Sequence, residues 1–424
     1  MTKNQNFCEI SELVQKIVGG GTPERNNSDY WNGGIPWATV KDFKDGKHNL
    51  ALTEEEISLT GLKYSAANLI PPLVPIICTR MAVGRVAVAN FIVAINQDLK
   101  AIYPNEKVDS EYLVWLIESI RSELEALSTG STVKGIRLAE LLSLKVFCPN
   151  KQEQTQIATI LSTIDRAIEQ TEALIAKQQR IKTGLMQDLL TKGIDENGNI
   201  RSEETHEFKD SPLGRIPVEW EVKSLDELTT KIGDGIHTTP AYSENTGFFF
   251  INGNNLGDGS IHITSDTLCV NQGEFRKYYI ELDDRTILYS INGTIGNIAF
   301  YKNEPVVLGK SAAYIKCKKS VNARLIYHIL QSEPVHRFYD YELTGSTIKN
   351  LSLAAMRATP IKIPRMQEEQ EFLACRLDLC VYEIGQANNC LSKLRSLKTG
   401  LMQDLLTGKV RVTELIKERE TDNL

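Results

Sequence analysis

Ten residues occur twice in this chain. Lys182–Thr191 reads KTGLMQDLLT, and Lys398–Thr407 reads the same. A sequence of ordinary complexity does not repeat ten residues by accident, so the fold must use one design twice. Fainter echoes precede each copy. TGSTVKGIRL, from Thr129, answers to TGSTIKNLSL, from Thr344. Pro149-Asn-Lys-Gln152-Glu153 answers to Pro364-Arg-Met-Gln367-Glu368. The decapeptides lie one residue further apart than these pairs, which places a single insertion near Glu369. Each half runs as a variable block, a TGST segment, a proline and a long repeated segment.

The repeated segments predict helices. Ile157, Leu161, Ile164, Ile168, Ile175, Leu185 and Leu189 recur at three and four residues in the first. Leu373, Leu377, Cys380, Ile384, Leu391, Leu394, Leu401 and Leu405 do so in the second. That rhythm is a seven-residue apolar seam. A helix from Lys151 to Leu190 would be roughly 60 Å long and could not bury its stripe alone. Its simplest partner is its own copy, as an antiparallel coiled coil in a pseudo-twofold body; packing of each helix on its own half is the alternative.

The blocks before the helices carry short β-rich runs, such as Pro75–Thr79, Val86–Ala89, Phe248–Ile251, Arg285–Tyr289 and Asn297–Tyr301, punctuated by Gly, Asn and Pro. Each closes on a helical stretch, Glu111–Leu127 and Ala323–Tyr339. The expected class is α+β: blocks over 1–148 and 221–363, long helices over 149–192 and 364–408, a polar linker over 193–220 and a tail over 409–424.

The 424 residues are enough for two or three domains, with 42% hydrophobic and 24% charged residues, ordinary for a globular protein. The net charge of -6 excludes a globally basic nucleic-acid coat but not a local basic groove. No apolar run approaches a membrane span, and MTKNQNFCEI lacks a signal-peptide layout, so the cytoplasm is the default. No CxxC pair occurs, and nothing completes a metal set around Cys375, Cys380 and Cys390. No phosphate loop, HExxH, GxSxG or dinucleotide fingerprint is present, so neither a catalytic residue nor a metal ligand is expected.

The polar loops are more informative. GGGTPER, with Thr22 and Arg25, opens the first block. GDGIHTTP, with His237, Thr238 and Thr239, opens the second. Gly permits close backbone approach and Thr and His supply donors, which suits a phosphate edge and equally a tight turn. Asn252, Asn254 and Asn255 could bond adenine or build a turn. Arg80 and Arg85 flank a Gly84 turn, where they reach guanine, phosphate or only solvent. Asn292 and Lys310 hold comparable places in the second block, and Lys41 is a further cation in the first. In the TGST segments, Ser131, Thr132 and Lys134, with Ser346, Thr347 and Lys349, present hydroxyls and a cation at fixed spacing, suited to phosphate or to capping.

Taken in order, these motifs resemble the specificity (S, HsdS) subunit of bacterial type I restriction-modification enzymes. Two variable blocks alternate with two near-identical helices; Pro149-x-x-Gln-Glu-Gln154 and Pro364-x-x-Gln-Glu-Glu-Gln370 open the helices and KTGLMQDLLT closes them. GGGTP with Tyr30-Trp31 and Gly34-Ile-Pro36-Trp37 is similar to one class of recognition domain, GDGIHTTP with Phe250–Leu256 to another. Ser211–Pro217 with Trp220 is similar to the family's usual approach to the second. The resemblance implies that each block is a target recognition domain reading one half of a split, asymmetric double-stranded DNA site. It implies that the helices set the gap and dock two modification subunits. S-adenosylmethionine would sit on those subunits, ATP and Mg on the restriction subunits, and no cofactor on this chain, which would itself be non-catalytic. A coiled-coil scaffold without nucleic acid, or an enzyme with an unrecognised site, are the competing readings.

Overall fold

Two helices of 39 residues, Lys151–Leu189 and Gln367–Leu405, organise the molecule. The computed structural model describes residues 7–130, 134–343 and 349–413. They form two compact units: Met1–Ala173 with Asn389–Leu424, and the continuous stretch Leu174–Asn388. Each unit takes a part of both helices and one β-rich block.

In the first unit the helices run antiparallel. Lys398 pairs with Asp165, and Arg395, about one turn earlier, reaches Glu172, about two turns later (2.8 Å). In the second unit Leu373, Ala374 and Leu377 share a core with Leu189 and Leu190, and Lys182 lies beside Cys380, again the antiparallel sense. Ile157, Leu161, Ile164, Ile168, Ile175 and Leu189 are buried, as are Leu373, Leu377, Leu391 and Leu405; Leu185, Cys380, Ile384, Leu394 and Leu401 are half-buried. Thr171, Gln178 and Lys182 on one helix, with Ala387 and Lys398 on the other, complete the same seven-residue rhythm. The apolar pattern alone hid them.

The β-blocks share one sheet order. In the first unit Val14–Gly19, Leu99–Pro104, Ile76–Cys78 and Val86–Ala89 are hydrogen-bonded neighbours in that sequence, with Asn49–Leu50 added at the edge. In the second, Thr229–Asp234, Ala312–Cys317, Thr286–Ser290 and Ile298–Phe300 stand in the corresponding order. A short antiparallel pair leads into each long helix, Phe7–Glu9 with Lys145–Phe147 and Trp220–Ser224 with Pro360–Pro364. The first unit has a further four-stranded sheet containing Trp31–Ala38; in the second, Phe249–Ile251 pairs in parallel with Val306–Leu308.

Two expectations change. The helical stretches that close each block are each broken in two: Ser110–Ser119 with Arg121–Leu127, and Ala323–Leu330 with Glu333–Glu342. In the second case Pro334, which lacks an N–H, starts a new helix rather than continuing the old one. The segment 193–220, read as a linker, is packed: Ile194, Arg201, Ile216 and Trp220 are buried in the second unit. Its polar composition is met by short strand pairs and by an ion pair made far along the chain.

Candidate nucleic-acid interface

The start of each long helix is held by the same two residues. Gln154 accepts from the Asp109 N–H (2.9 Å) and donates to the Pro149 carbonyl (2.8 Å); Gln370 accepts from the Asn322 N–H (2.9 Å) and donates to the Pro364 carbonyl (2.8 Å). Asp109 and Asn322 in turn cap the helices of their blocks. Beside them lie two buried carboxylates. Glu153 takes both arms of the Arg411 guanidinium (2.7 and 2.6 Å) and the Val412 N–H. Glu369 takes both arms of Arg201, the Ile194 N–H and the Trp220 indole N–H (both 3.1 Å). Charge-assisted, bidentate contacts thereby tie the tail to the start of the first helix and the segment 193–220 to the start of the second, while Gln154 and Gln370 hold the blocks. The equivalence of Glu153 with Glu369 puts the inserted residue between Pro364 and Glu369.

On this base the glycine loops stand in equivalent places. A Cβ on Gly20 would lie 1.9 Å from the Ile95 carbonyl oxygen, and one on Gly235 2.0 Å from that of Leu308. The next residue in each case donates to that same carbonyl, Gly21 at 3.0 Å and Ile236 at 2.8 Å. These two glycines serve the close approach of two backbones. They bring the polar residues that follow to the surface, beside the turn before the sheet's second strand.

Several residues singled out from sequence are engaged within the chain. Thr22 bonds Gln97, and Arg25 pairs with Glu55 while lying over the rings of Trp31 and Trp37 (4.2 and 5.0 Å). Arg85 is half-buried, its guanidinium on the Phe43 carbonyl (2.9 Å), so it braces the block. Asn252 and Asn255 build their own turn: the Asn252 N–H donates to the Asn255 side chain (3.0 Å), and Ser311 donates to Asn252 (2.9 Å). His237 pairs with Asp234 (2.8 Å) yet stays exposed, and Thr238 lies 3.5 Å from the Tyr278 hydroxyl. Lys41, Thr239, Asn254, Lys310 and Lys349 are exposed. Ser131, Thr132, Ser346 and Thr347 lie outside the described residues.

The fold does gather two matching clusters. In the first unit Arg80 forms a bridge with Gly135, its guanidinium 3.3 Å from Asp98, and the Met81 N–H donates to Lys134 (2.9 Å). In the second Asn292 bridges Asn350, its side chain reaches the Lys310 carbonyl (3.5 Å), and the Gly293 N–H donates to Lys349 (3.2 Å). Exposed cations thus recur at one sheet end in each unit, Arg80 and Lys134 in the first and Lys310 and Lys349 in the second. Lys100, beside Gly19 with its ammonium on the Gln97 carbonyl (3.1 Å), joins the first cluster and was not anticipated. Among the described residues no group of His, Cys, Asp or Glu is arranged for a metal ion, and no helix is long and apolar enough to cross a membrane.

The family described as "Type I restriction modification DNA specificity domain" matches residues 3–178 and again 217–384. The chain belongs to this family. Curated relatives agree. The Type I restriction enzyme MjaIX specificity subunit of Methanocaldococcus jannaschii is 26% identical over 95% of this chain and 93% of its own length. The EcoR124I/EcoR124II specificity subunit of Escherichia coli is 32% identical over 36% of this chain and 39% of its own. Among solved structures, the type I S subunit from M. genitalium shares the fold with a TM-score of 0.62 at 16% identity, covering 96% of this chain and 98% of that one. As a specificity-family member, the chain serves DNA recognition in a restriction-modification system and is not itself the catalyst.

Proposed function

We propose that each unit reads one half of an asymmetric, two-part duplex site, and that the paired helices set the gap between the halves. The observation that carries this is the pair of sheets with one order and one glycine-gripped loop, beside which the polar residues differ: Thr22 and Arg80 in the first unit against His237 and Asn292 in the second. A shared scaffold with unlike loops is what two unlike half-sites require. Sequencing the host's methylated bases with and without this gene tests it: one bipartite, non-palindromic motif should vanish. Inserting about four residues, one helical turn, after Gln170 should change the gap and leave both half-sites unaltered. Altered half-sites would sink the spacer reading.

Two modification subunits would dock on the repeated decapeptide. Its exposed positions are identical in both copies, Thr183, Gly184 and Gln187 against Thr399, Gly400 and Gln403, although packing does not constrain them. Surface identity of this kind suits one partner met twice. In the second unit that face lines a hollow of about 700 Å³ with Ile329, Pro334 and Val335. S-adenosylmethionine would be held by those subunits, and ATP and Mg by restriction subunits joining in the cytoplasm. Leu185 and Leu401 pack into the cores, so Asp there would destabilise the fold. Gln187→Arg with Gln403→Arg is the cleaner test, and an intact complex with both substitutions would count against docking here.

A further inference from the structure

Met81 is out of character for its position. It stands on the loop between strands Ile76–Cys78 and Val86–Ala89, 62% exposed, with a φ of 62°. The same loop in the second unit carries Gly293 there, with a φ of 72° and the same backbone contact to a lysine carbonyl. Glycine takes this left-handed conformation freely; a residue with a Cβ does so at a cost. A Cβ on Gly293 would meet nothing within 4 Å, so that loop needs no side chain for packing. Met81 likewise belongs to none of the first unit's described core clusters. The chain therefore holds an apolar side chain in water, in a strained backbone, where its own other half uses glycine. Strain that brings no packing points to a contact made outside the chain. The neighbours indicate which. Arg80 and Lys134 are both exposed, one adjacent in sequence and one bonded through the backbone. Leu73 is also exposed and left-handed (φ 63°), but Pro72 and Val74 flank it and no cation does.

We propose that Met81 is a specificity residue of the first unit, placing its side chain against a base of the DNA half-site while Arg80 and Lys134 meet phosphates beside it. This rests on the reading of that unit as a DNA-recognition module. Apolar side chains read bases by touching the thymine methyl or by wedging into a base step. The test uses the full chain assembled with its modification subunits and a duplex carrying the motif found by methylome sequencing. Met81→Gly should raise the unfolding midpoint, because strain is relieved. It should also weaken binding to the cognate duplex roughly tenfold, with the salt dependence unchanged because no phosphate contact is lost. Leu73→Gly should raise the midpoint too and leave binding alone. Replacing thymine by uracil in the half-site separates the two contacts: a matching loss with the unsubstituted protein assigns the methyl, no loss assigns the wedge. Cognate binding by Met81→Gly within about twofold of the parent, or an equal loss on all DNA, overturns the proposal. If the parent complex binds no duplex at all, the DNA reading fails first, and that result is separate.

Discussion

The two units treat their helix starts alike and their polar loops differently. Gln154 and Gln370 make the same two hydrogen bonds at the same lengths, and Glu153 and Glu369 each grip a guanidinium with both oxygens. The loops above them share their glycine grip and a backbone contact to a lysine, but most of their polar residues differ. Where the chain must hold a long helix at its start, the solution is repeated; where its polar loops reach solvent, it diverges. The two grips still differ in depth. Arg201 is 8% exposed, Arg411 38%, and only Glu369 also binds an indole N–H.

That inequality gives the largest expected effect. Glu369→Ala leaves Arg201 buried without its carboxylate and should cost about 3–5 kcal/mol. Glu153→Ala should cost less, since Arg411 can turn to water. Urea unfolding of the full chain reads both, and equal losses would erase the distinction. Next come Leu161→Ala and Leu377→Ala, equivalent and fully buried. Each should cost about 2–5 kcal/mol, and a clear difference between them would show that the equivalent seam positions are not equally packed.

The lysine of the decapeptide sharpens the comparison further. Lys398 pairs with Asp165 and lies over Trp115 (4.9 Å), whereas burial holds Lys182 below the usual lysine range. Lys398→Met should destabilise by about 1 kcal/mol or less; Lys182→Met should be neutral or stabilising. The same sign for both would mean that the ion pair does not matter. The smallest effect concerns His48. Burial, then the charge of Lys398, push its pKa below 6.5. Below that pH the unfolded chain gains a proton that the folded ring resists, so stability falls as the medium is acidified. His48→Phe, which keeps a ring against Trp115, should flatten that slope between pH 7 and pH 5.

The rods and their seam were legible in the sequence because an apolar rhythm is local and was written twice. The strands at Ile76–Cys78, Val86–Ala89 and Thr286–Ser290 were legible for the same reason. Contacts made across the chain were not. Glu153 finds Arg411 and Glu369 finds Arg201 only after folding, although the repeated Gln-Glu at each helix start was the available signal. Arg85, Asn252 and Asn255 carried residue types equally suited to DNA and to turns, and only their partners settle what they bond here.

The first unit is assembled from both early and late sequence, since residues 389–413 bring Leu405, Leu406 and Val412 into its core. The second is one unbroken stretch. A ribosome therefore delivers all of the second unit while the first still lacks its part of the last helix and the arginine that closes on Glu153. The block made first is completed last, and a premature stop beyond residue 388 should strike hardest at the block translated earliest.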